Sequence, residues 1–129
     1  MADYSMVRGD TFRNVFQVMR VQLGLPLDTP PFSVDITGWT FWFTLKRYYN
    51  DPDNLAVFQG ITTDGTGNVT ITDALSGKVT VFVPPLSTLN MPDADVRLVF
   101  DLQGKDPAGV VYTAERGVIV VSPDVTRAV

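Results

Sequence analysis

Residues 38–46 constrain the fold of this chain more than any other segment, because large apolar side chains recur there at every second position. Successive side chains of a β-strand point to opposite faces, so this spacing puts the apolar set on one face and a mostly polar set on the other. A helix would scatter both sets around its circumference. The segment therefore predicts a half-buried strand whose inward-facing side chains are Trp39, Phe41, Phe43 and Leu45.

Several other segments have the character of short strands separated by turns. The sequences between them are rich in Asp, Gly, Pro and Asn, which favour turns because they accept or preset turn backbone angles. Residues 11–23 show some helical spacing, yet their valines and strand-rich surroundings favour a strand. A helical turn is expected within residues 86–95. The further predicted strands are residues 55–59, 69–72, 78–83, 96–103, 110–115 and 117–121.

Strands at regular intervals, without alternating helices, predict an all-β fold of sandwich or barrel type. For a chain of 129 residues the best match is an immunoglobulin-like antiparallel β-sandwich. We expect one domain over residues 1–129. Its N-terminal segment, residues 1–24, and a proline-rich loop, residues 25–34, are expected to pack on the sandwich or on a neighbouring molecule.

The residue types that usually carry catalysis are missing from the sequence. The chain has no histidine and no cysteine, which removes the usual general base, thiol nucleophiles and most zinc ligand sets. Its net charge of −4 argues against a nucleic-acid partner, and no apolar run is long enough to cross a bilayer. We therefore expect a protein that is not an enzyme and that has no cofactor, no metal, no nucleic-acid or membrane partner and no small-molecule substrate.

Carboxylates are the remaining candidates for chemistry. Glycosidases need only two of them, and Asp51 with Asp53 could also ligate calcium. However, all the candidates stand in turn sequences near Gly, Pro or Asn, where an Asp side chain commonly bonds to nearby backbone. Residues 8–10 spell Arg-Gly-Asp, an adhesive tripeptide, for which a turn or strand-entry role is likewise expected. The aspartates for which we expect turn formation are Asp51, Asp53, Asp64, Asp73 and Asp106.

Two aromatic residues are predicted on the outward-facing side of strands. Trp42 alternates with the inward-facing aromatic residues and lies among threonines, and Phe82 alternates with valines. Aromatic side chains on the outer face of a sheet suggest a contact surface, because large exposed apolar patches are uncommon on soluble monomers. Trp42 and Phe82 are therefore the candidate interaction residues, unless the N-terminal segment or the proline-rich loop covers them within the same domain.

Turn and strand signals follow one another in a particular order along nearly the whole chain. The segments are RGDTF at residues 8–12, DITGW at 35–39, DG at 64–65, DALSGK at 73–78, FDLQ at 100–103, DPAG at 106–109 and SPDVTR at 122–127. This order resembles a group of small bacteriophage structural proteins and is similar to the immunoglobulin-like N-terminal domain of phage baseplate upper proteins and related virion modules.

The resemblance implies a virion protein made in the host bacterial cytoplasm, with other virion proteins and copies of itself as partners and with no catalytic residues. Its place would be the tail, baseplate or fibre region, or the capsid as a decoration protein. The baseplate proteins continue into a long second part, whereas this chain stops at Val129, so an accessory subunit is expected. The alternative is a carbohydrate-binding β-sandwich module that uses Trp42 as a sugar platform. A glycosidase-like enzyme with two aspartates ranks third.

Overall fold

The alternating segment around Trp42 is an interior strand of the largest β-sheet in the computed structural model, which describes residues 2–20, 32–88, 91 and 94–123. Short 3₁₀ turns occur at Asp53–Leu55 and Pro85–Ser87. No helix among the described residues is long and apolar enough to cross a membrane. The strands are β1 (Ala2–Val7), β2 (Phe12–Gln17), β3 (Met19–Arg20), β4 (Phe32–Ser33), β5 (Thr40–Lys46), β6 (Phe58–Ile61), β7 (Val69–Asp73), β8 (Lys78–Val83), β9 (Val96–Lys105) and β10 (Val111–Ser122).

The strands form two sheets that pack face to face. The five-stranded sheet has the order β1-β10-β9-β5-β6, and the three-stranded sheet has the order β2-β8-β7. The short strands β3 and β4 pair with each other. All neighbours are antiparallel except β1 and β10, which run parallel. The all-β sandwich that the sequence predicts is therefore confirmed.

The core lies between the two sheets and is dominated by aromatic rings. Phe43 of β5 is fully buried, and its ring centroid lies 5.4 Å from that of Phe100 on β9. Phe16, from the other sheet, packs 5.8 Å from Phe100, and Tyr4 of β1 packs 5.9 Å from Phe16. Large rings in tilted and edge contact contribute both buried area and favourable ring geometry. These contacts join the two sheets.

The strand predictions are confirmed in type but corrected in two places. The predicted strand at residues 55–59 begins later, because residues 53–55 form a 3₁₀ turn before β6. The two strands predicted at residues 110–115 and 117–121 are one continuous strand, β10, with a bulge between Thr113 and Glu115. Of the helical turn predicted at residues 86–95, the structure shows the 3₁₀ turn Pro85–Ser87, while residues 89, 90, 92 and 93 lie outside the described part.

The N-terminal residues are part of both sheets. Strand β1 pairs with β10 in the larger sheet, and β2 pairs with β8 in the smaller one. The strand predicted over residues 11–23 corresponds to β2 and β3 as far as residue 20. Residues 21–31, which include most of the predicted proline-rich loop, lie outside the described residues.

Candidate interaction surfaces

Trp42 lies on the outer face of the five-stranded sheet and is half-buried. Its neighbours along β5, Phe41 and Phe43, are fully buried on the core side, as the alternation predicts. In the register of the sheet, Trp42 stands opposite Gln103 of β9 and Ile61 of β6. Strand β5 is thus an interior strand, with β9 on one side of Trp42 and the edge strand β6 on the other.

A shallow groove of about 490 Å³ runs across this outer face. Its floor combines an aromatic ring, Trp42, with hydroxyl, amide and charged side chains that project from β5, β6 and β9. Tyr49, in the segment after β5, closes one side. The other main lining residues are Thr44, Lys46, Asp53, Gln59, Val99, Asp101, Gln103, Lys105 and Val111. We call this surface the Trp42 groove.

Two of the charged side chains in the Trp42 groove, Lys46 and Asp53, form an ion pair. The ammonium group of Lys46 lies 2.8 Å from a carboxylate oxygen of Asp53 and donates to the carbonyl oxygen of Asp51 at 2.7 Å. The hydrogen bond from Lys46 and its positive charge lower the pKa of Asp53. At the groove's margin the guanidinium of Arg116 lies 5.6 Å from the centre of the Tyr49 ring, which is within cation–π range.

Asp101 is a half-buried carboxyl group in the floor of the groove. It stands opposite Thr44 of β5 and Arg116 of β10 in the sheet. Burial raises the pKa of Asp101, while the positive charges of Lys46 and Arg116 act against that rise. The loss of hydration therefore outweighs the two cations, because a charged carboxylate is more strongly hydrated than a neutral one.

Replacing Asp101 with asparagine is expected to give a protein whose stability, relative to that of wild type, increases as the pH rises. A raised pKa means that the folded state holds this proton to a higher pH than the unfolded chain, so wild type loses stability through that interval. The free energy of unfolding of Asp101→Asn, minus that of wild type, should therefore increase as the pH rises from about 4 to about 7. Denaturant titrations of both proteins across this range measure the difference.

Asp53→Asn is the matched control, because the pKa of Asp53 is shifted in the opposite direction. A lowered pKa contributes stability above the unfolded value, and that stability is lost as the pH falls. Asp53→Asn should therefore lose stability relative to wild type as the pH rises through the acidic range up to about 4, and the difference should change little above about pH 5, so its denaturant titrations extend below pH 4. Parallel pH profiles for the two variants would contradict the assignment of burial as the cause at Asp101.

Phe82 lies on the outer face of the three-stranded sheet and is half-buried. Its neighbours Val81 and Val83 are fully buried on the core side. Phe82 stands opposite Arg13 of β2, and the next outward residue of β2, Val15, is 53% exposed. Phe82 and Val15 therefore form an apolar strip on a face that is otherwise lined with threonines and charged residues.

The β2 edge of this sheet has open backbone groups. The N–H of Phe82 donates to the carbonyl of Asn68, just before β7, at 2.7 Å, so the odd-numbered residues of β8 bond toward β2. The N–H of Val18 donates to the carbonyl of Gly77 at 2.8 Å and continues the same ladder. On β2 the even-numbered residues therefore bond to β8. The residues whose N–H and C=O groups point to the open edge are Arg13, Val15 and Gln17.

In the larger sheet, a side chain caps one backbone group of the edge strand β6. In β6 the N–H of Ile61 donates to a carboxylate oxygen of Asp64 at 3.0 Å and to no neighbouring strand among the described residues. Edge strands with unpaired backbone groups are sites where another chain can pair, and a capping side chain blocks this. On the β2 edge the carbonyl oxygen of Val15 accepts from the side-chain amide of Asn14 at 3.5 Å, while the N–H groups of Arg13, Val15 and Gln17 have no such cap among the described residues.

The structure does not bring the two predicted interaction residues together. Trp42 and Phe82 belong to different sheets and face away from the core on opposite sides of the sandwich. They therefore mark two separate surfaces, the Trp42 groove and the Phe82 strip with its adjoining β2 edge. The described N-terminal residues form strands and leave both side chains half-exposed.

The aspartates considered for catalysis are engaged in turns or surface pairs. Asp64 accepts hydrogen bonds from the N–H and the hydroxyl of Thr66 at 3.0 and 2.6 Å, and these bonds lower its pKa. Asp73 accepts from the N–H of Ser76 at 3.3 Å, and Asp106 accepts from that of Val110 at 2.9 Å. The main-chain carbonyl oxygen of Asp51 accepts a hydrogen bond from the ammonium group of Lys46. These bonds fit the turn-forming role that the sequence predicts.

The Arg-Gly-Asp segment also has a structural role. Arg8 is only 9% exposed, and its guanidinium donates to the carbonyl of Met91 at 2.8 Å. The N–H of Gly9 donates to the hydroxyl of the buried Thr88 at 2.9 Å. These hydrogen bonds connect the turn after β1 to the loop that precedes β9, which agrees with the predicted turn role.

The order of the strands defines the class of fold. Strands β10, β9, β5 and β6 correspond to the G-F-C-C′ order of immunoglobulin sandwiches, and β2, β8 and β7 correspond to B-E-D. The protein is therefore an immunoglobulin-like β-sandwich.

Comparison with known proteins adds little beyond the fold. No protein-family model and no curated protein match the sequence. A solved structure of murine CRIg is similar over 95% of this chain and 92% of that chain, with 11% sequence identity and a TM-score of 0.39. A likeness at this level carries no argument about function.

The sequence does not indicate that the residues lining the Trp42 groove lie next to one another. Asp101 and Gln103 alternate outward on β9, so their orientation follows from the pattern of that strand. Their position beside Trp42 depends on the pairing of β5 with β9, which joins segments that are far apart in the chain. Tyr49 lies in the segment between β5 and β6, where no periodicity indicates its direction.

Proposed function

We propose that this protein is a non-catalytic structural subunit of a bacteriophage virion, which attaches to neighbouring virion proteins and to copies of itself. The contact surface in this proposal is the Phe82 strip together with the β2 edge. The observation that supports it is the row of N–H groups at Arg13, Val15 and Gln17, which point away from β8 and have no partner among the described residues, beside the exposed side chain of Val15. An accessory position at the tail, baseplate or fibre region, or on the capsid, agrees with the resemblance of the sequence to phage virion modules.

The physical argument for attachment at the β2 edge has two parts. An extended segment that adds a strand to an open edge gains a ladder of main-chain hydrogen bonds, and side chains on the adjoining face supply selectivity. Here Phe82 and Val15 provide an apolar face next to that edge, and Arg13 provides a charge opposite Phe82. Contacts of this kind suit an assembly whose partners are held for the life of the particle.

A proline at position 15 tests the proposed edge contact. The N–H of Val15 points to the open edge, so Val15→Pro removes a donor to the partner and leaves the β2–β8 bonds in place. We expect the variant to fold while its occupancy in purified particles falls at least about tenfold, a loss of roughly 1.4 kcal/mol or more in binding. Quantitative mass spectrometry of particles assembled with each variant measures the occupancy.

Val15→Thr is the matched control, because threonine keeps both the N–H and the branched Cβ. It should assemble at close to the wild-type level. A circular-dichroism melt of each isolated variant shows whether it is folded. Wild-type occupancy of a folded Val15→Pro variant would rule out pairing at this edge.

A further inference from the structure

We infer that the Trp42 groove is a binding site for a neutral oligosaccharide, with one sugar ring stacked on Trp42. The inference goes beyond the proposed structural role and does not depend on it, since it concerns the opposite face of the sandwich. It starts from the combination of an aromatic platform, fixed polar side chains and an open groove on one rigid sheet. Ligand sites typically combine such apolar surface with a few well-placed polar groups.

The groups around Trp42 suit a ring that carries several hydroxyl groups. Gln103 stands directly opposite Trp42, and its side-chain amide, which can donate and accept, has no hydrogen-bond partner among the described residues. In the next row Gln59 donates to the hydroxyl of Thr44 at 3.1 Å, and Asp101 offers carboxylate oxygens on the other side of Thr44. Side chains directly opposite on paired strands lie about 5 Å apart, which is the scale of one sugar ring.

The balance of charge favours a neutral ligand. Lys46 and Lys105 among the lining residues are matched by Asp53 and Asp101, so the groove carries no net formal charge. The Lys46 ammonium is already bound to Asp53 and to the backbone of Asp51. Phosphate or acidic ligands are recognised by clusters of unopposed cations, which this groove does not present. A ligand with many hydroxyl groups and no charge fits the lining best.

The position of the groove on the face of the sheet also disfavours strand addition by a peptide. The floor strands β5 and β9 are interior strands, so their main-chain groups are bonded to neighbouring strands. A ligand here must be recognised through side chains alone. A saccharide meets that condition, because its rings stack on aromatic faces and its hydroxyl groups pair with side-chain amides and carboxylates.

Calorimetric titration of the wild-type protein with neutral hexasaccharides of glucose, galactose and mannose tests the inference. A hexagalacturonate and a proline-rich decapeptide are included as charged and peptide probes. We expect at least one neutral hexasaccharide to bind and neither comparison probe to do so. Trp42→Ala should weaken that binding at least about tenfold, and Gln103→Ala should weaken it by a smaller factor.

Phe82→Ala is the matched control, because it removes an aromatic ring from the opposite outer face. It should bind the hexasaccharide as wild type does. If Trp42→Ala does not fold, the saccharide affinity of Gln103→Ala serves as the test. Three results would overturn the inference: no binding of any neutral hexasaccharide, binding only of the acidic or peptide probe, or saccharide binding that neither groove variant weakens.

The same variants separate this inference from the proposed structural role. Trp42→Ala should enter particles normally and lose saccharide binding, whereas Val15→Pro should bind saccharide normally and fail to enter particles. A loss of both properties in both variants, each still folded by circular dichroism, would contradict the assignment of two separate surfaces.

Discussion

Replacing Gly77 with alanine is expected to lower the free energy of unfolding by about 3 kcal/mol or more. Gly77 has a φ of 71°, in the left-handed region where a Cβ atom is strained. A Cβ at this position would also lie 2.6 Å from the carbonyl oxygen of Val34 and 2.9 Å from that of Val18. These are backbone atoms, so the clash cannot be relieved by a side-chain rotation.

The damage would reach several elements because Gly77 sits where they meet. The N–H of Val18 donates to the carbonyl of Gly77 at 2.8 Å, and the N–H of Val34 donates to the carbonyl of Val18 at 3.0 Å. Moving the turn after β7 would therefore disturb the end of β2 and the segment that leads into β5. A thermal melt should show a fall of roughly 10 °C or more.

Gly65→Ala is the control for backbone strain alone. Gly65 has a φ of 78°, yet no heavy atom lies within 4 Å of the position a Cβ would take. This variant should lose only about 1 kcal/mol, the cost of placing alanine in the left-handed region. Equal losses for Gly65→Ala and Gly77→Ala would contradict the role of close backbone approach at Gly77.

Phe43→Ala is expected to lower the free energy of unfolding by about 4 kcal/mol. The ring is fully buried between the two sheets and lies 5.4 Å from Phe100, 6.0 Å from Phe16 and 6.3 Å from Phe58, centre to centre. Its removal leaves a cavity that strands of both sheets would have to fill. Urea titration monitored by circular dichroism measures the loss.

Phe82→Ala is the comparison for the core prediction, since Phe82 is also a phenylalanine in the middle of a strand but faces outward. It should cost clearly less than Phe43→Ala, because a half-buried ring leaves no enclosed cavity. A loss at Phe82 as large as that at Phe43 would mean that the two faces of the sandwich are not divided as described.

The sequence predicts strands well where one face is buried and the other is not. Residues 40–46 alternate between buried and half-buried side chains, and residues 78–83 alternate between buried and more exposed ones except at Thr80, which is also buried; both strands appear with the predicted inward side chains. Strand β1 was missed because its pattern is weak and its pairing is with β10 at the other end of the chain. The bulge between Thr113 and Glu115 shifts the alternation within β10, which made one strand look like two.

The sequence predicts which individual residues face outward, but it does not predict which of them lie together on one surface. The outward direction of Trp42 and Phe82 follows from the alternation within their own strands. Their separation onto opposite faces depends on which strands share a sheet, and so does the meeting of Trp42 with Asp101 and Gln103. The open edge of β2 likewise depends on sheet order, which a pattern within one segment does not contain.

The most direct test of the proposed virion role is quantitative mass spectrometry of phage particles purified by density gradient from the cells that produce this protein. The proposal predicts that the chain sediments with the particles at a fixed number of copies relative to the major capsid and tail proteins. Its absence from washed particles, with the protein found entirely in the soluble fraction of the lysate, would contradict the proposal.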